Sequence, residues 1–167
     1  MDFGCSEDER IWKRRGYAES VEATEYRVAL RAVLDTASPV VAARLETIRN
    51  TASARIDGVI IEVFVDQDAH GTFDVWARFD GPDAFTLDRQ LGDERELFGV
   101  IWGEDGWEPA VPVRPRIWSR EELEDVIVEV VAEWVDLLIL VGPSNLYWEV
   151  ATPDGAVDPR PVGANRE

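Results

Sequence analysis

Apolar residues along this chain change their spacing twice, from steps of three and four to alternation and back again. The last helical stretch is the longest, from Ser119 to Val141. Leu123, Ile127, Val130, Val131, Trp134, Leu138 and Val141 mark one face, and Glu122, Asp125, Glu129, Glu133 and Asp136 the other. Ser119 and Glu122 have the spacing of a capping box, with Trp118 and Leu123 at staple positions around it. Gly142 and Pro143 predict a sharp stop. The apolar side is wide enough to demand nearly complete cover, so this is the predicted core helix.

An earlier helical stripe runs through Ala23, Tyr26, Leu30, Val33, Leu34 and Ala37, and a further one through Val41, Leu45, Ile48 and Ala52. Pro39 lies between them. It cannot donate to Asp35, and its ring opposes the α region at Ser38, while Ser then Pro is also a good helix start. The reading is therefore two helices, over 21–36 and 39–53, with one kinked helix as the alternative. Ser6 and Glu9 suggest a short helix before them, running to Arg15 and stopping at Gly16.

Alternation replaces these steps at Val59, Ile61, Val63 and Val65, and again at Phe73, Val75, Ala77 and Phe79. The two runs flank DQDAHG and read as a β-hairpin. The first run is apolar on both faces except at Glu62, which places it inside a sheet. Gly81-Pro82-Asp83 is a turn, Phe85 to Asp88 a short strand, and Arg89 to Glu96 a charged loop. Leu97 to Trp102 and Trp107 to Val113 form a further hairpin around GEDG, its second arm demoted to a sheet edge by Pro109, Pro112 and Pro115. Leu146 to Ala151 can return as one more strand. The expected fold class is α+β: an N-terminal helix pair, an antiparallel β-meander of about five strands, and one long C-terminal core helix packed on the sheet. All 167 residues fit one domain, with 1–16 as a short arm, 17–151 as the folded core and 152–167 as an aperiodic mobile tail.

Charge narrows the choice of partner. With 34 acids against 17 bases the chain repels nucleic-acid phosphate and anionic membrane surfaces; the same charge serves solubility and suits a basic protein partner. The acids inside the core helix argue against a membrane span. Cys5 is the one cysteine and cannot staple the fold internally, and MDFGCSEDER has neither a basic n-region nor an apolar h-region. The expected location is cytoplasmic. Arg10, Lys13, Arg14 and Arg15 surround Trp12 as a basic cluster, but beside Ser6-Glu7-Asp8-Glu9 it reads as locally paired charge.

The chemistry-bearing motifs are few. Asp66, Asp68 and Gly71 match the opening of a calcium loop and Asp74 follows closely, but His70 takes a ligand position and Ala77 stands where a bidentate acid belongs. Asp66, Asp68 and Asp74 are therefore weak metal candidates, and the simpler reading is a polar hairpin tip. No cofactor and no metal is expected. His70 is the sole histidine, no catalytic motif accompanies it, and no catalytic residue is assigned.

Seven tryptophans are the other unusual feature. Trp12 sits in the basic cluster, Trp134 in the core stripe and Trp118 at the staple, which leaves Trp76, Trp102, Trp107 and Trp148 as candidate binding residues. An aromatic surface ringed by acids suits a basic protein partner, and the same side chains also suit a second, smaller core under the sheet. A non-enzymatic binding module follows, of which a bacterial immunity or antitoxin-like inhibitor is one version. The alternatives are a small-molecule or enzymatic pocket between sheet and helices, and a metal-modulated module at the Asp66–Asp74 loop.

Overall fold

A computed structural model describes residues 7–67, 70–139 and 146–163, with side chains from Glu22 onward. The chain opens with one helix, α1 (Glu7–Thr51), and not with a pair. It runs through both Gly16 and Pro39. A proline inside a helix costs about 3 kcal/mol, yet the apolar stripe continues in phase across it. Tyr26, Leu30 and Leu34 before Pro39 and Val41, Leu45 and Ile48 after it are all buried. Ala37, partly buried, bridges the two halves at the same spacing. A break at Ser38 would forfeit that shared face, and burying each of these side chains contributes about 1.5–3 kcal/mol. Ser38 is also tied across the core, since its Oγ accepts from Trp134 Nε1 at 2.9 Å. The box expected at Ser6 and Glu9, and the side chains of the basic cluster around Trp12, lie outside the described residues and side chains.

The hairpin follows as expected, β1 (Gly58–Val65) against β2 (Phe73–Asp80), antiparallel in the register Val59 to Phe79 and Val63 to Val75. Val59, Ile61 and Val63 of β1 and Phe73, Val75, Ala77 and Phe79 of β2 belong to one hydrophobic core with the buried stripe of α1.

Phe85 to Asp88 is helical. It lies in α2 (Ala84–Leu91), because Ala84, Leu87 and Leu91 share one side at steps of three and four. A 3-10 turn (Gly92–Arg95) leads into β3 (Glu96–Phe98), so the stretch expected as a loop is also structured. Only Val75 and Trp76 of β2 pair with β3. Further along, Asp88 Oδ1 accepts from Phe79 N at 2.9 Å and Arg95 Nη1 donates to Ala77 O at 3.3 Å. Side chains thus satisfy backbone groups that a longer edge strand would have paired, and they blunt the edge.

The expected second hairpin divides at Gly99 and Val100. β3 joins the main sheet, while β4 (Ile101–Gly103) and β5 (Gly106–Glu108) form a separate two-stranded ribbon. Then comes α3 (Arg120–Leu138), carrying the full capping box: Ser119 Oγ accepts from Glu122 N at 3.1 Å, and Glu122 Oε2 accepts from Ser119 N at 3.3 Å. Ser119→Ala is expected to lower stability by about 0.5–2 kcal/mol, read as a drop in the urea midpoint. An unchanged midpoint would show that the box contributes nothing. Gly142 and Pro143 lie outside the described residues.

After α3 the chain returns as β6 (Tyr147–Ala151), parallel to β1. The sheet is therefore mixed, not an antiparallel meander, with the order β3-β2-β1-β6-β7 and β1 at its centre. The last strand, β7 (Arg160–Val162), falls in the stretch expected as a mobile tail. Val157 and Val162 are buried, and Gly163 N donates to Asp136 Oδ1 of α3 at 2.7 Å, so long-range contacts fix what local periodicity does not announce. Helix α3 packs on the sheet through β1, β6 and β7, and on the opposite face Phe64 and Arg78 are exposed.

Candidate functional site

Two aromatic surfaces stand out, and they differ in charge. The first is the sheet face turned away from α3. Strand alternation places Glu62 and Phe64 of β1 there with Asp74, Trp76 and Arg78 of β2. Glu62 and Arg78 form an ion pair on the diagonal between neighbouring strands. Trp76 is half-buried, with the Arg95 guanidinium 5.7 Å from its ring centre. Together these side chains line a hollow of about 360 Å³. Two acids and two arginines share it, so its formal charges balance.

Tyr147 lies at one margin of this face. Its ring crosses the strand next to Gly58, where a Cβ would come within 2.5 Å of it, and its hydroxyl donates to Asp80. That bond to a carboxylate is the main reason its pKa is pushed up to about 12. Asp74 lies near the other margin, and its Oδ1 accepts from Val100 N at 3.3 Å. Burial raises its pKa, the Val100 N–H opposes this, and the charge of Asp66 adds to the rise. Because the folded value lies above the unfolded one, stability linked to Asp74 is fullest below the ordinary carboxylate range and declines as pH rises through the folded value. Asp74→Asn keeps an oxygen for Val100 N and removes the charge. It is expected to raise Tm at about pH 7 and to leave it unchanged at about pH 3. Thermal unfolding at both values checks this, and a loss of Tm at neutral pH would contradict it.

The second surface is the β4–β5 ribbon. Trp102 and Trp107 pair directly across it, with ring centres 5.0 Å apart and planes at 79°. Their exposures are 69% and 41%. Glu104 and Asp105 form the exposed turn between the strands. Gly106 takes a φ of 110°, which a side chain would resist. Glu108 is opposite the exposed Ile101, and its carboxylate lies over Gly103, where an added Cβ would come within 2.6 Å of it. From Glu96 to Val113 the sequence has no basic residue and carries Glu96, Glu104, Asp105 and Glu108. Here the aromatic surface and the excess of acid coincide.

The four candidate tryptophans thus part company. Trp102 and Trp107 meet on the ribbon, and Trp76 sits apart on the sheet among arginines. Trp148 is 4% exposed and belongs to the core. It neighbours Val59 in the parallel register, which turns its indole inward, so it offers no surface for a partner. Arg95 and Phe64, which complete the hollow, are not adjacent to Trp76 in sequence and carry no local signal of that role.

The polar loop is held together by its own side chains. Thr72 donates to Asp66, and Asp66 N donates to Thr72 O at 3.1 Å, while Asp74 is engaged with Val100. Asp68 lies outside the described residues. His70 is exposed, and its carbonyl accepts from Arg114 N at 2.9 Å. Among the described residues no group of three or more His, Cys, Asp or Glu side chains is placed to hold a metal ion. No helix among them is long and apolar enough to cross a membrane.

A family model described as a family of unknown function, DUF6389, matches residues 21–166, and the chain belongs to that family. No curated protein and no solved structure matches it.

Proposed function

We propose that this DUF6389 protein is a non-enzymatic binding module that engages a basic protein through the β4–β5 ribbon. An inhibitor of a basic toxin, in the manner of an immunity protein, is one concrete form. The observation that carries the reading is the exposed Trp102–Trp107 pair in a stretch with four acids and no base. Indoles are favoured as interface anchors because they bury large, stiff surfaces at little entropic cost. Their faces attract cations, contributing about 0.5–1 kcal/mol when exposed and about 2 when desolvated. The acids around them draw basic side chains toward those faces and repel acidic ones.

Trp76 fits this role less well, since Arg95 already lies over its ring and Arg78 stands nearby. The test is affinity capture from host lysate by wild-type protein and by the Trp102→Ser/Trp107→Ser variant. Neither indole belongs to the core, so the variant should fold normally. The wild type should retain a protein of basic pI that the variant loses. Equal retention by both, or an acidic protein as the captured species, would contradict the proposal.

A further inference from the structure

The hollow over Trp76 differs in chemistry from the ribbon, and one residue sets it apart. Acids outnumber bases two to one in this chain, with 34 against 17. Six of the described arginines accordingly pair with a carboxylate: Arg27, Arg31, Arg55, Arg78, Arg120 and Arg160. Arg95 is half-buried, and its hydrogen bonds go to backbone carbonyls. Nε donates to Gly92 O at 3.2 Å and Nη1 to Ala77 O at 3.3 Å. These fix the guanidinium beside the Trp76 ring and use two of its five N–H groups.

The surrounding acids are engaged elsewhere. Glu62 is paired with Arg78. Asp88 acts on Arg95 through space, but its carboxylate accepts the Phe79 N–H. Asp74 accepts from Val100 and is disfavoured as an anion by burial and by Asp66. What remains is a guanidinium held by two backbone carbonyls, whose other N–H groups have no hydrogen-bond partner among the described residues, opening on a hollow of about 360 Å³ walled by Trp76 and the exposed Phe64. That volume falls within the range of small-ligand sites, roughly 300–1,000 Å³.

We propose that this hollow is a second binding site, for a small monocarboxylate bearing a flat apolar group. The carboxylate would accept from the free N–H groups of Arg95, a charge-assisted geometry that suits a guanidinium. The flat group would lie against Trp76 and Phe64. Glu62, which lines the same hollow, disfavours a more highly charged anion such as a phosphate. The site is independent of the ribbon and of any protein partner.

Phenylacetate is a suitable probe and phenylacetamide its uncharged control. The readout is the set of indole N–H resonances in ¹⁵N-labelled protein, with the Trp76 signal assigned through Trp76→Phe. Phenylacetate should move the Trp76 signal saturably, with phenylacetamide leaving it in place. Arg95→Gln should weaken binding by about tenfold or more. Because Arg95 also caps β2, Phe64→Ala serves as the second variant, weakening binding about threefold with Tm unchanged. Equal responses to acid and amide, a shift that never saturates, or a response at Trp102 and Trp107 in place of Trp76 would each overturn the proposal.

Discussion

Trp134→Ala is expected to destabilise the protein by about 3–5 kcal/mol. Trp134 is 0% exposed and sits where α3 meets α1 beside Pro39. The substitution removes the largest of the fully buried side chains and opens a cavity under two helices. It also strips the Ser38 hydroxyl of its indole donor. Total stability of a domain this size is about 5–15 kcal/mol, so the variant will populate unfolded chains readily. Trp134→Phe separates the two contributions. It keeps most of the packing, loses the hydrogen bond and should cost less than the alanine variant. Urea unfolding of both, with the slope against denaturant unchanged, checks the assignment. A midpoint unmoved by Trp134→Ala would remove α3 from the centre of the fold.

The second large effect concerns binding. Trp102→Ala and Trp107→Ala are each expected to cost about 2 kcal/mol of affinity for the proposed basic partner, or roughly a thirtyfold faster dissociation. Their ring contact makes them one anchor, so the double variant should lose less than the sum of the two. Stability should hardly change, since neither indole belongs to the core. Trp76→Ala is the internal control on the sheet face and should leave dissociation of the protein partner unaltered. If Trp76→Ala speeds dissociation and the ribbon variants do not, the partner docks on the sheet.

What was legible in the sequence was local. The capping box needs only Ser119 and Glu122 three residues apart. The β1–β2 register follows from two alternating runs on either side of a polar turn. Pro39 carries a local signal that divides α1 in two, whereas Leu34, Ala37 and Val41 continue a single buried stripe across it. Phe85 is a similar case. Ending a strand at Asp88 separates Leu87 from Leu91, and with them the helical spacing. The direction of β6 and the existence of β7 had no local signature. A parallel partner for β1 depends on the crossover through α3, and β7 depends on Val162 meeting a core assembled from the rest of the chain.

The proposed binding surface was legible in its residues but not in its grouping. Trp148 and Trp76 read alike in a sequence, because the face of each follows from the phase of its strand. Phase was known for β2 but not for β6, where Tyr147 faces outward and Trp148 inward. The ribbon's charge could have been read directly, since no base interrupts Glu96 to Val113. The contact between Trp102 and Trp107 needed the short register of β4 and β5.

The most direct measurement of the proposed function is the association rate of the captured basic protein as a function of salt. Surface fields are screened beyond about 8 Å at physiological ionic strength, so a charge-steered encounter slows steeply as salt is added. Stopped-flow or surface-based kinetics between about 50 and 500 mM salt should show the wild-type rate falling by at least about tenfold. Neutralising Glu104, Asp105 and Glu108 together should lower the rate at low salt and flatten the dependence. A wild-type association rate indifferent to salt, or an unchanged dependence in the neutralised ribbon, would contradict the account.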